Sequence, residues 1–89
     1  MEVKVAKPKL IELIILNDDV TSIDVVKVVL VNVFGLEIYE ADSLIKIAME
    51  EGECSIGKYS MAVARNLIGE VRQYSSTLQI KSKECEYVD

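Results

Sequence analysis

The 89-residue sequence contains no histidine and no tryptophan. Without histidine, Ser-His-Asp and Cys-His catalysis are excluded, and so is the one side chain that ordinarily titrates near neutral pH. An enzyme built from this chain would have to work with carboxylates, lysine or tyrosine alone. The composition therefore favours a binding protein over an enzyme.

Cysteine is scarce, with only Cys54 and Cys85 present. Their spacing does not match a metal site, and no histidine is available to complete one. Both lie in strand-like segments, which predicts reduced, half-buried thiols. A disulfide would require the two strands to be neighbours and an oxidising compartment. We expect neither a metal nor a cofactor.

Long hydrophobic runs are also missing, because charged residues interrupt every apolar stretch before it reaches the length of a membrane span. The start of the chain, MEVKVAKPK, has no apolar signal-sequence core and holds the only proline, Pro8. We expect a cytoplasmic protein, in a bacterial cytosol or a plastid stroma. Residues 1–9 are predicted to be a short N-terminal arm, followed by one domain over residues 10–89.

The net charge is −5, from 15 acidic and 10 basic residues. A surface of that sign repels phosphate backbones, which argues against nucleic acid as a partner. Cationic partners, including the amino termini of peptides, are favoured instead.

The first part of the chain predicts a strand and a helix. LIELIIL, Leu10–Leu16, is short and rich in isoleucine, which indicates a strand whose two faces are both buried or nearly so. The valine-rich segment that follows suits a strand by propensity, but its caps and its spacing favour a helix over Ser22–Phe34. Gly35 stands where a left-handed C-cap belongs. The apolar stripe of this predicted helix comprises Ile23, Val26, Leu30 and Val33.

The rest of the chain predicts two further helices and two strands. EIYEADSLIKIAMEEG forms a helix that ends at Gly52, and its predicted apolar face comprises Ala41, Leu44, Ile45, Ala48 and Met49. ECSIGKY is a short strand in which Gly57 indicates a bulge or a close approach. Ser60 then caps a helix over Met61–Tyr74, with a stripe of Ala64, Leu67, Ile68 and Val71. LQIKSKECEYV is an alternating strand with Leu78, Ile80 and Ser82 on one face.

The predicted element order is therefore β-α-α-β-α-β. Three short strands and three amphipathic helices indicate an α+β fold, a two-layer sandwich in which the helices cover a three-stranded antiparallel sheet.

Asn17, Asp18 and Asp19, the NDD element after the first strand, have two interpretations. These residues are typical of a turn and a helix start, which is the more frequent role of such a triplet. Alternatively they form a site. An acid/base pair or a divalent-ion site would rest on the two aspartates alone. An apolar hole lined by Ile23, Val26, Ile45 and Ala48 beside these acceptors would instead suit an amino-terminal residue, whose ammonium needs polar partners.

The sequence resembles the ClpS adaptors, which deliver substrates to Clp protease chaperones. The resemblance runs from Leu10 to Glu86 and is carried by ILNDDVT, VVKVVLVNVFG, the pattern A..LI..AMEEGEC.IG.YS...A and the strand from Leu78. It implies a monomeric adaptor that docks on a Clp AAA+ chaperone of the ClpA or ClpC type. It further implies binding of N-degron proteins by a bulky N-terminal residue (Leu, Phe, Tyr or Trp). A related interaction module that modulates the chaperone without binding degrons is the alternative.

The resemblance also implies the site residues. Asn17 and Asp18 would bind the peptide ammonium, with Asp19 supporting the loop or adding charge. The implied hydrophobic pocket comprises Thr21, Ile23, Val26, Ile45, Ala48, Met49 and Leu78. Three positions depart from the family: Met49 replaces a histidine that contacts the ammonium, and Ala62 and Leu67 replace a glutamate and a lysine used in chaperone docking.

Overall fold

A three-stranded antiparallel sheet forms one layer of the computed structural model, which describes residues 9–85. In this sheet the first strand of the chain lies between the second and the third. Three helices form the other layer, and the arrangement confirms the predicted α+β sandwich and its β-α-α-β-α-β order. The elements are β1 (Leu10–Leu16), α1 (Ile23–Asn32), α2 (Ile38–Glu51), β2 (Glu53–Ser60), α3 (Met61–Tyr74) and β3 (Ile80–Cys85).

β1 is the central strand, and its alternation sets which residues enter the core. Ile11, Leu13 and Ile15 are buried on the face that carries the helices. Ile14 is buried as well, on the opposite face, whereas Glu12 on that face is only half-buried. β1 is therefore buried on the side that faces the helices and partly buried on the opposite side. The helices contribute the rest of the core, chiefly Val29, Leu30, Ala41, Ile45, Ala48, Ala64 and Val71, together with Leu78.

Gly57 lies beside a β-bulge and at a close approach of another residue, the two features that a glycine inside a predicted strand indicates. The pairing of β1 with β2 shifts between Leu13, opposite Gly57, and Ile14, opposite Ser55, so Ile56 is an extra residue that forms a β-bulge. A Cβ atom on Gly57 would lie 2.9 Å from the Tyr59 hydroxyl oxygen. The missing side chain makes room for the tyrosine ring beside the bulge.

Gly52 ends α2 in the left-handed region, with φ 90°. Its amide donates to the Ala48 carbonyl at 2.8 Å, and its own carbonyl accepts from the Asn17 amide at 2.9 Å. The first bond caps the helix. The second ties the end of α2 to the end of β1.

The bounds of two elements differ from the prediction. α1 ends at Asn32 rather than at Phe34, because the Phe34 amide bonds back to Val29 and the Leu36 amide to Leu30, which unwinds the last turn. The last strand begins at Ile80 rather than at Leu78, because the preceding residues form a loop in which Arg72 Nη1 donates to the Leu78 carbonyl at 2.7 Å.

Some predicted apolar faces also differ. Ile23 is 50% exposed and Met49 is 56% exposed, whereas Val29, outside the predicted stripe, is fully buried. Ile23 lies in the first turn of α1 and Met49 in the last turn of α2. Ser82 pairs with Leu13 and Ile80 pairs with Ile15, so Ser82 and Ile80 share one face of the sheet as predicted, although Ser82 is exposed. Residues 1–8 of the predicted arm and residues 86–88 of the predicted last strand lie outside the described residues.

Cys54 and Cys85 are both free and half-buried, as predicted. The strand order places them in β2 and β3, on opposite edges of the sheet, with β1 between them. Burial raises the pKa of the Cys54 thiol above its ordinary value, so it stays protonated and weakly reactive at neutral pH.

Replacing Gly52 with alanine should destabilise the fold, because alanine is strained at a φ of 90°. We expect Gly52→Ala to lower the free energy of unfolding by about 1–2 kcal/mol in urea denaturation. Gly69→Ala is the matched control: it lies in α3, open space surrounds the position of its added Cβ, and it should stabilise by up to about 1 kcal/mol. Equal effects of the two substitutions would contradict this account of the α2 terminus.

Candidate functional site

The NDD element is held on two sides where β1 ends. The Leu16 amide donates to the Gln79 carbonyl at 3.1 Å, and the Asn17 amide donates to the Gly52 carbonyl at 2.9 Å. Both bonds use the backbone alone. The exposed side chain of Asn17 is therefore left for another role.

Asp18 makes the turn that leads into α1. Its Oδ1 accepts hydrogen bonds from the Val20 amide at 2.8 Å and the Thr21 amide at 2.6 Å. Burial acts to raise the pKa of Asp18, but these amide hydrogen bonds outweigh it and hold the pKa below its ordinary value of 3.8. Asp18 is therefore a carboxylate at neutral pH, and hydrogen bonds with the Thr21 side chain and the Gln79 backbone also act to lower its pKa.

Thr21 and Ser22 complete the connection to α1. The Ser22 hydroxyl accepts from the Val25 amide, which caps the helix as predicted. The Thr21 and Thr77 hydroxyls lie 2.7 Å apart and join this loop to the loop before β3. The NDD element is thus fixed by contacts with two other parts of the chain.

A pocket of about 40 Å³ opens between this loop, α1 and α2. Its floor consists of the buried residues Ile15, Ile45 and Ala48. Asn17 and Asp18 lie along one side of the mouth, and the exposed side chains of Ile23 and Met49 contribute the apolar part. The pocket is lined by Ile15, Leu16, Asn17, Asp18, Thr21, Ile23, Val26, Ile45, Ala48 and Met49.

All predicted site residues line this pocket except Asp19 and Leu78. Asp19 is exposed and is not among the residues that line the pocket. Leu78 is 1% exposed, belongs to the core and is not among the residues that line the pocket. The structure therefore does not bring Leu78 together with the other residues predicted for the pocket.

Ile15 and Leu16 line the pocket although they were not predicted to do so. The alternation of β1 could have indicated Ile15, since Ile15 shares the helix-facing side with Ile11 and Leu13, and Leu16 directly precedes the NDD element. The carbonyl of Gly52 was missed as well, because only the folded chain brings it to Asn17.

The electrostatic surroundings of the pocket favour a cation. Met49 lies in the last turn of α2, where the unpaired carbonyls of a helix give a partial negative charge. That turn carries Glu50 and Glu51 and no basic residue. Together with the Asp18 carboxylate, these groups would stabilise an ammonium at the mouth and repel an anion.

The geometry suits binding better than catalysis. An apolar hole with an amide and a carboxylate at its rim can hold a short apolar group that carries a positive charge. Among residues 9–85 there is no cluster of three or more His, Cys, Asp or Glu side chains able to hold a metal ion. No helix within the same range is long and apolar enough to cross a membrane.

Comparison with known proteins identifies the family. The model of the ATP-dependent Clp protease adaptor protein ClpS matches residues 6–82. The chain belongs to the ClpS family. This confirms the resemblance read from the NDD element and its surroundings, and it confirms that the chain is an adaptor of Clp protease and not an enzyme.

Individual relatives agree with this assignment. The ClpS adaptor of Hydrogenovibrio crunogenus is 35% identical over 83 residues, which cover 93% of this chain and 79% of the relative. That of Acetivibrio thermocellus is 31% identical over 70 residues, or 79% of this chain and 71% of the relative. The structure of Agrobacterium tumefaciens ClpS2 bound to L-phenylalaninamide matches with a TM-score of 0.78 at 23% identity, covering 88% of this chain and 99% of that one, which shows the shared ClpS fold.

The turn at Asp18 makes stability depend on pH. Asp18→Ala removes the acceptor of two backbone amides and should cost about 1–2 kcal/mol of unfolding free energy at pH 7. Because the folded-state pKa is lowered, this contribution is present above the ordinary pKa of 3.8 and is lost as the pH falls through the lowered value.

Urea denaturation of the unsubstituted protein and of Asp18→Ala, at several pH values from neutral to acidic, measures this difference in unfolding free energy. Asp19→Ala is the matched control, since Asp19 is exposed, and its stability should stay within about 0.5 kcal/mol of the original. A gap between Asp18→Ala and the unsubstituted protein that does not narrow below pH 3.8 would show that Asp18 is not the group responsible.

Proposed function

We propose that this ClpS-family adaptor binds proteins by a hydrophobic N-terminal residue and delivers them to a Clp AAA+ chaperone for degradation. The observation that carries the proposal is the pocket beside the NDD element, which combines an apolar interior with an anionic, amide-bearing rim. A peptide terminus has the same combination, with an apolar side chain next to an ammonium on a single carbon atom.

In this proposal each part of the pocket meets one part of the peptide. The Asn17 side-chain carbonyl and the Asp18 carboxylate accept hydrogen bonds from the ammonium, which would be costly to bury without acceptors. Ile23, Val26, Ile45 and Ala48 surround the side chain. Asp19 adds negative charge at a distance and has no direct contact.

The ligand of a structural relative supports this arrangement. A. tumefaciens ClpS2 was solved with L-phenylalaninamide, a small molecule with a free α-amino group next to an apolar side chain. An amine next to an apolar group matches the acidic rim and the apolar floor of the pocket described here.

The proposed chaperone partner is of the ClpA or ClpC type, and we expect the adaptor to act as a cytoplasmic monomer. Two α3 positions bear on docking. Ala62 is exposed but carries no charge, and Leu67 is half-buried against the core cluster of Ile11, Leu13 and Ala64. Docking through α3 would therefore rely on its exposed apolar residues Met61 and Val63 more than on a glutamate and a lysine.

A peptide that begins with leucine should bind, and the same peptide with an acetylated N-terminus should not. Isothermal titration measures both, and acetylation should cost at least tenfold in affinity because the ammonium is lost. Asn17→Ala should also weaken binding about tenfold without changing stability, since the backbone amide that bonds to Gly52 is retained. No heat with the leucine peptide at high micromolar concentration, with the protein folded, would reject peptide binding.

A second function is favoured by one observation, the presence of Met49 at the pocket mouth. Methionine cannot accept a useful hydrogen bond from an ammonium. The chain would then be a module that occupies or modulates a Clp chaperone without binding N-degrons. Capture of a Clp AAA+ chaperone by a protein that fails to bind free-amine peptides would distinguish this function from the first.

Met49→His tests the same position directly. An imidazole there would supply a further acceptor for the ammonium, worth about 1.5–3 kcal/mol, so the leucine peptide should bind about ten- to a hundredfold tighter. The gain should disappear with the acetylated peptide. Ile47→His is the matched control, since Ile47 is exposed on the same helix but does not line the pocket, and it should leave affinity unchanged. Equal affinities of the unsubstituted protein and Met49→His for the leucine peptide would show that the ammonium does not bind beside position 49.

A further inference from the structure

The size of the pocket sets a limit on the side chain that it accepts. Its volume of about 40 Å³ has room for roughly three water molecules, taking the 10–15 Å³ that one water requires. By comparison, an engineered apolar cavity of about 150 Å³ holds benzene. An aromatic ring is therefore too large for this pocket, whereas the three carbons of valine or the four of leucine come close to its size.

The floor of the pocket cannot recede to make room. Ile15, Ile45 and Ala48 are 2%, 8% and 4% exposed and belong to the main core cluster. They pack against Val29, Leu30 and other buried residues, so a deeper pocket would require the core itself to move.

The walls are stiff for a different reason. Ile23 and Val26 on α1 and Ile45 on α2 are β-branched residues in helices, where such side chains keep a single χ1 rotamer about nine times in ten. Widening the pocket by rotating them is therefore unfavourable. Met49 is the one flexible helical side chain in the lining, and it lies at the mouth, 56% exposed, where its movement would not deepen the hole.

We propose that the pocket selects N-terminal residues with a short aliphatic side chain, such as valine, isoleucine or leucine, and rejects phenylalanine, tyrosine and tryptophan. This inference rests on the proposed peptide-binding function and names its substrate class. Ile23 is the residue that sets the limit, because it forms the outer wall and is not required by the core.

The test is a titration of peptides that differ only in the first residue. Leucine and valine peptides should bind at least tenfold tighter than the phenylalanine and tryptophan peptides. Ile23→Ala should reverse this order by raising the affinity for phenylalanine at least tenfold relative to leucine. Val28→Ala is the matched control, since Val28 is comparably exposed on the same helix but does not line the pocket, and it should leave the order unchanged.

The outcomes separate the two proposals. Binding of the leucine peptide together with equal or tighter binding of the phenylalanine peptide would overturn the size limit and leave the proposed function standing. An unchanged order in a folded Ile23→Ala variant would overturn the role of Ile23 as the limiting wall. Failure of every free-amine peptide to bind would overturn the proposed function, and the size limit with it.

Discussion

The hydrogen bond from the Asn17 amide to the Gly52 carbonyl is the constraint on which the candidate site depends. It joins the end of the central strand to the end of α2, two points that are 35 residues apart in the sequence. Gly52 can offer this carbonyl because its left-handed backbone turns the chain sharply at the helix terminus. Without that turn, Ala48 and Met49 would not lie beside Asn17, and the pocket would have no second side.

Asp18 combines a structural role in the turn with the recognition role proposed for it. One oxygen holds the turn through two amides, and the same amides keep the group ionised by lowering its pKa. The turn therefore both positions the negative charge and preserves it. The two interpretations of the NDD triplet, a turn or a site, are compatible, because Asp18 both accepts the hydrogen bonds of the turn and lines the pocket.

The elements governed by local signals could be predicted from the sequence. α3 has the predicted bounds because Ser60 caps it and its apolar residues repeat cleanly, and the bulge at Gly57 follows from a glycine inside a strand. The predictions that failed concern features that depend on contacts between residues distant in the sequence, or on contacts that form only in the folded chain. Leu78 turns into the core because the Arg72 guanidinium holds its carbonyl in a loop, and no periodicity reports such a bond.

The site was predicted to a similar extent. A strand that ends in NDD before a helix, together with the apolar faces of two helices, placed most of the lining residues correctly. The choice between Asp18 and Asp19 could not be made from composition, since the two residues are identical and adjacent and only the turn distinguishes their directions. The volume of the pocket was equally out of reach, because it depends on how closely α1 and α2 pack against Ile15.

The pocket draws its lining from β1, α1, α2 and the loop between β1 and α1, and none of its lining residues comes from α3. Substitutions on the outer face of α3 are thereby separated from those around the NDD element, and each surface can accumulate changes without disturbing the other. Under the proposed function, a substitution that alters chaperone docking on α3 would therefore leave the lining of the peptide pocket unchanged.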